Sequence, residues 1–312
     1  MKRALAGPVV FFVSLHAHGQ VADETKAPDA AVDSIAAVQH ENRQCADEYV
    51  PAWHEMVTRV PGDWARFAGE NFQSSRIPAI LGLAGLTAAL VVADDPSWRS
   101  TESVCNRTQR SRDIMHSFAE LGNGRTVLAV AGAFALGGWM VDDPRALRTA
   151  SQMVESYLAC GITVQVLKHL TGRERPERQS RKGGAWRFFP NQAEYHRSMP
   201  KFDAFPSGHT AGAMGMVTVL IENYPELRWL RPVGYAAVGL VTISLVSRGW
   251  HWYSDFPLAI VLGYQFGMIA SHPEHDEDEP TGLAVPRSSK PSVSLLPSLG
   301  EHGAGVTLAV TF

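Results

Sequence analysis

Residues 151–176 read SQMVESYLACGITVQVLKHLTGRERP. Apolar residues recur at helical spacing through 151–168, and Gly172 and Pro176 then break the pattern. The stretch therefore predicts an apolar helix that ends near two cations, Lys168 and Arg175, seven positions apart. Five more Gly- and Ala-containing apolar runs flank it, at about 77–93, 126–141, 208–221, 233–247 and 256–270. A polar connection rich in Arg, Gly, Pro and aromatics, residues 171–206, separates the third run from the fourth. The expected fold is all-α, a helical bundle of about six core helices with a short C-terminal strand segment.

The ends of the chain differ from its middle. Lys2 and Arg3 precede an apolar run from Ala4 to Leu15, and Ala17 and Gly19 stand at the spacing a signal peptidase reads. Residues 1–19 are read as a signal peptide, with an uncleaved anchor as the alternative. Residues 20–76 form a polar segment with amphipathic pieces around Trp53, Val57, Trp64 and Phe67. The bundle is expected over 77–271. Residues 272–312 read as a tail: an acidic run, a Pro/Ser-rich linker and an alternating stretch, Val306 to Phe312, that predicts one strand. Export would allow Cys45 and Cys105 to pair, while Cys160 reads as a buried thiol.

Composition narrows the function. The 312 residues carry 28 Lys+Arg against 31 Asp+Glu, without the basic excess of a nucleic-acid binder. Three cysteines with no CxxC pair exclude a disulfide scaffold, a zinc ribbon and a thioredoxin-like site. The histidines show no metal-ligand spacing, so no metal and no cofactor are expected.

Three constellations carry chemistry. Lys168 and Arg175 offer a point charge and a planar fork, a combination suited to phosphate. In Pro206-Ser207-Gly208-His209, Ser207 is a natural N-cap for the following helix. The amides of Gly208 and His209 would face an anion at that helix's positive end. His209 is placed to donate a proton. In the third, His251 and Asp255 stand four apart, one helical face if the segment is helical, where a carboxylate would fix the imidazole tautomer. Each pattern alone is also compatible with a capped helix end or a structural His–Asp pair.

In order and spacing the three resemble the type 2 phosphatidic acid phosphatase family, with its relatives the class A acid phosphatases and vanadium haloperoxidases. The signature KxxxxxxRP, PSGH, SRxxxxxHxxxD is matched by Lys168…Arg175-Pro176, by Pro206-Ser207-Gly208-His209, and at His251 and Asp255. The third-motif Arg is displaced: its place holds Leu245, and Arg248 stands three before His251. The resemblance implies a metal-independent phosphatase in which His251 attacks phosphorus, Asp255 orients it and His209 protonates the leaving group. Lys168, Arg175, Ser207, Gly208 and Arg248 would bind the phosphate, and Arg248 is expected to point into the same pocket. The implied partner is a phosphate ester or a phospholipid, with membrane association possible and no nucleic acid.

Two settings compete. The apolar runs are short for spanning segments, and the mean hydropathy of -0.08 is low for lipid-facing helices. With a cleaved signal peptide, the parity of six spans would put residues 20–76 on the wrong side. Arg99, Arg107, Arg110, Arg112 and Arg125 would then lie outside, against the positive-inside tendency. The sequence reading therefore favours an exported phosphomonoesterase of the periplasm or cell envelope, with the runs as its core. The alternatives are an integral inner-membrane lipid phosphatase acting on phosphatidate, phosphatidylglycerophosphate or an isoprenyl pyrophosphate, and a non-catalytic envelope protein that binds phosphate or lipid headgroups.

Overall fold

The computed structural model describes residues 50–273 and the backbone of residues 292–300 and 303–311. The signal peptide, Cys45 and the acidic run from Glu274 onward lie outside the described residues, and with Cys45 the Cys45–Cys105 pairing. Two short helices come first, α1 (Glu55–Thr58) and α2 (Val60–Asn71), followed by α3 (Ile77–Cys105), α4 (Gln109–Leu121) and α5 (Gly124–Val141). Then come α6 (Pro144–Thr171), the short α7 (Gln192–Arg197), α8 (Gly208–Asn223), α9 (Leu230–Ser247) and α10 (Phe256–Ser271). The all-α expectation holds for this body. Separately, β1 (Ser292–Gly300) and β2 (Gly303–Thr311) pair antiparallel, so the predicted single strand is one arm of a hairpin.

Local chemistry sets the helix ends. Asp143 caps α6, accepting from the amides of Arg145 at 3.0 Å and Ala146 at 3.3 Å, with Pro144 in the first turn. Gly172, at φ 49°, ends the same helix in the left-handed conformation, and a Cβ there would meet the Arg187 carbonyl at 2.6 Å. Ser207 caps α8 as its sequence position predicts.

The inner layer is α6, α8 and α10, packed around Ala159, Cys160, Val164, Ala211, Leu262 and Phe266. Cys160 is buried and unbridged, as expected. Small residues let α8 and α10 approach: a Cβ on Gly263 would stand 2.3 Å from the Ala211 carbonyl, and one on Gly267 would stand 2.7 Å from Thr218. Of the amphipathic pieces, Trp64 bonds the Ala159 carbonyl at 3.1 Å and Phe67 stacks on Phe266 at 4.8 Å, whereas Trp53 and Val57 are exposed.

Two sequence expectations need correction. The run 77–93 belongs to a helix of 29 residues, which continues through Asp94, Asp95 and Pro96 where the sequence suggests a stop. Asp95 is satisfied by Arg99 one turn on, and Asp94 by partners from distant segments. The six runs also do not all form a core. The most apolar 18-residue windows of the helical stretches 74–105, 124–141 and 230–247 are only 6%, 17% and 33% buried. Ile80, Leu81, Leu86 and Val92 of α3 and Leu136, Trp139 and Met140 of α5 are exposed. These three helices are long and apolar enough to cross a membrane.

The close approach of α8 and α10 is testable. Gly263→Leu should destabilise the protein by about 1–3 kcal/mol through overpacking, read as a lower thermal unfolding midpoint. An unchanged midpoint would contradict the packing described.

Candidate active site

The C-terminal ends of α6 and α9 and the N-terminal ends of α8 and α10 meet at one end of the bundle, and the connection 172–207 folds over them. Lys168 occupies the last turn of α6, buried, with its Nζ 3.8 Å from Asp203 Oδ2. Past the Gly172 turn, Arg175 is extended. Its Nε and Nη2 grip the two oxygens of Asp203 at 2.6 and 2.9 Å. Asp203 thus holds both predicted phosphate-binding cations. Burial alone would raise its pKa, but Lys168 and Arg175 bring it below the usual carboxylate range.

Ser207 places the α8 N-terminus beside them. Its hydroxyl accepts from the Thr210 amide at 3.4 Å and donates to Thr210 Oγ1 at 3.1 Å, so in this structure it serves the cap. The first-turn amides of Gly208 and His209 have no intrahelical partner by helix geometry. A Cβ on Gly208 would lie 3.9 Å from Lys168 Nζ, so the start of α8 lies close to the ammonium. Arg175, Gly208 and His209 are partly exposed, while Lys168, Asp203 and His251 lie behind them.

His251 is 2% exposed and precedes the 3-10 turn Tyr253–Asp255. It and Asp255 therefore do not share a helical face; the expected helix starts only at Phe256. The Nδ1–H of His251 donates to the Ala204 carbonyl at 2.7 Å, and Asp255 Oδ2 is more distant at 3.4 Å. A carbonyl can only accept, so Nδ1 carries the proton and Nε2 keeps its lone pair. Ala204 is the main orienter, and Asp255 assists from further away. Burial, then Lys168 and Arg175, push the His251 pKa well below its ordinary value. His209 is pushed down to about 4 by burial and by the same neighbours. Burial and the neighbouring cations thus favour the neutral imidazole at both positions.

Asp255 has other work. Its Oδ2 accepts the Trp252 amide at 2.7 Å and its Oδ1 pairs with Arg173. Burial raises its pKa to about 6, against the opposing pull of Arg173 and the Trp252 amide. Arg173, Asp94 and Asp203 were not among the residues the sequence pointed to. Their partners lie 28 to 82 positions away, beyond any local spacing rule.

Arg248 departs from expectation. It is the C-cap residue of α9, its Nη1 donates to His116 at 2.8 Å, and its guanidinium lies 4.2 Å from the Trp250 ring centroid. Trp250 in turn neighbours Arg175 and His209, at 5.8 Å each. Arg248 thus borders the site through an indole rather than sharing the Lys168–Arg175 position. Leu245, where the family motif carries Arg, is fully buried with Trp98, Ala204 and Trp252.

The PAP2 superfamily model matches residues 149–277, which contain every motif residue above. The match spans less than half of the chain, and by it this region is similar to the PAP2 superfamily. Its members are phosphatases, phosphoric monoester hydrolases. Two solved structures are similar to the chain. One is the first transmembrane PAP2 type phosphatidylglycerolphosphate phosphatase from Bacillus subtilis, at 18% identity and TM-score 0.43, covering 61% of this chain and 92% of that one. The other is Aquifex aeolicus LpxE, at 17% identity and TM-score 0.43, covering 57% and 94%. No curated protein matches.

Two arginines separate the roles. Arg175→Ala should lower phosphate release by about 100- to 1000-fold, as for a lost transition-state donor. Arg248→Ala should lower it by about 10-fold or less, through the Trp250 stack. Equal losses in the two variants would put Arg248 on the phosphate itself.

Proposed function

We propose that this chain is an integral membrane phosphatase that hydrolyses lipid phosphate esters through a phosphohistidine on His251. The observation that carries the reading is the pairing of uncovered apolar helices with a cationic pocket at one end of their bundle. A bilayer core of about 30 Å needs about 20 helical residues. The 29 residues of α3 exceed this, and the 18 residues each of α5 and α9 come close to it. Their exposed Leu, Ile, Val and Trp side chains form more apolar surface than a water-soluble monomer tolerates. This favours the membrane alternative over the exported soluble phosphomonoesterase that run length and hydropathy suggested.

The chemistry follows from the site. The phosphate enters between Lys168, Arg175 and the Gly208 and His209 amides, whose positive charge balances its equatorial oxygens. Its negative charge favours protonated His209, offsetting the burial that holds the empty-site pKa down. The Nε2 lone pair of neutral His251 forms the N–P bond as the P–O bond to the lipid alcohol breaks. His209 gives its proton to the departing oxygen. Water then attacks phosphorus, His209 takes a water proton, and the P–N bond breaks to return neutral His251 and free phosphate. No step requires a metal ion.

The protein should stay in membranes through carbonate washing and release phosphate from phosphatidate, phosphatidylglycerophosphate or an isoprenyl pyrophosphate in mixed micelles. Activity should persist in EDTA and be blocked by vanadate, which mimics the transferring phosphoryl group. The long-chain substrate should exceed a soluble phosphomonoester by at least about 10-fold in kcat/KM, because remote binding energy assists the reaction. Carbonate extraction, equal use of both substrates, or EDTA inactivation reversed by a divalent ion would each contradict the reading.

A further inference from the structure

Next to His251 lies a second charged cluster with no access to solvent. Arg173, Asp94, Ser254 and Asp255 are each 0% exposed. The Arg173 fork reaches both carboxylates: Nη2 donates to Asp94 Oδ2 at 2.6 Å, and Nη1 to Asp255 Oδ1 and to Ser254 Oγ, the last at 2.6 Å. Asp94 also accepts the Ser254 amide at 3.1 Å. The guanidinium sits between two indoles, 4.5 Å from the centroid of Trp186 and 5.5 Å from that of Trp252. Asp94 belongs to α3, outside the region that matches the family.

This arrangement bears on His251. Arg173 engages Asp255 through Oδ1, while Oδ2 accepts the Trp252 amide at 2.7 Å and keeps a longer contact with His251 Nδ1 at 3.4 Å. The shorter bond of the imidazole is to the neutral Ala204 carbonyl, at 2.7 Å. A neutral acceptor fixes the tautomer without favouring the imidazolium, and a nucleophile must be unprotonated. We propose that Arg173, held by Asp94, is a positioning residue that pins Asp255 through its Oδ1 and offsets the carboxylate's charge, and so keeps the nucleophile beside it neutral, oriented and tied to α3. The proposal rests on the phosphohistidine reading.

The other groups facing His251 are Lys168 of α6, Arg175 and Asp203 of the connection 172–207, and His209 of α8. None is altered by changing Arg173 or Asp94. In Arg173→Gln the charge of the Asp255 carboxylate would no longer be offset, and it would raise the proton affinity of His251. The acid limb of kcat/KM should therefore move up by about one pH unit. Arg173→Gln and the near-isosteric Asp94→Asn should each lower kcat by about 10- to 100-fold, the scale of a misplaced reacting group, with KM changed less than about 3-fold. Arg173→Lys should recover only part of the loss, since an ammonium cannot bridge two carboxylates as a fork does.

The experiment is performed on full-length protein in detergent, with thermal unfolding as the folding control. It pairs phosphate release with histidine-selective nitrogen-15 NMR, using His251→Ala to assign the His251 signals. An upward shift of the His251 titration in Arg173→Gln, together with the kcat losses, supports the proposal. Should Arg173→Gln fail to fold, kcat and the acid limb of folded Arg173→Lys and Asp94→Asn decide. Folded variants with wild-type His251 titration and kcat, or a loss confined to KM, overturn it. If wild type releases phosphate, His251→Ala does not, and the cluster variants match wild type, only the positioning role fails. If wild type is inactive on every ester, or His251→Ala keeps its activity, the phosphohistidine reading fails and the positioning role falls with it.

Discussion

A guanidinium with no access to water must be paired, and Arg173 is paired twice. Removing one partner of such a buried ionic group typically costs about 3–5 kcal/mol, because an uncompensated charge remains. That penalty fixes more than one bond. Asp94 brings α3 to the turn before α10, Asp255 brings that turn to the connection after α6, and Ser254 closes the gap between them. His251 lies inside this knot, and its Nδ1 points at a backbone carbonyl of the same connection. The precision of the site therefore depends on three segments far apart in the chain.

The bundle divides its labour around that point. The inner helices α6, α8 and α10 are packed through small residues and end at the site, so their termini supply Lys168, the Gly208 amide and the turn that carries His251. The outer helices α3, α5 and α9 keep apolar faces uncovered. A lipid surround would supply the missing contacts, and it would leave the phosphate pocket at the polar end of the bundle, level with a headgroup. The polar connection 172–207 is itself held down at many points. Glu174, for example, accepts from the Ser180 amide and hydroxyl and from the Ala185 amide.

The motif residues were legible because their spacing is local. Lys168 and Arg175 straddle a helix end marked by Gly172, and Ser207 announces the start of α8. What the spacing could not carry were pairings made across the fold. Asp203 sits in a segment with no periodicity, yet it grips Arg175 and Lys168. Asp94 reads as the end of an apolar run, because an acid followed by a proline normally stops a helix. The available signal was Asp94 itself: Arg99 one turn on from Asp95 satisfies only one of two adjacent acids. The run lengths that favoured a soluble setting have the same limit, since truncating α3 at Asp94 makes a long helix look too short to span. The family's Arg position offered the opposite lesson. Leu245 is there as the sequence says and is buried, while Arg248 is engaged by His116 and Trp250 instead.

Whether phosphate passes through His251 is tested most directly by rapid quenching of the protein during turnover of a phosphorus-32-labelled lipid phosphate, followed by peptide mapping of the label. A phosphohistidine route gives a covalent label that survives base, is lost in acid, and maps to His251. A label on another residue, or turnover at full rate with no covalent label at any quench time, would contradict it.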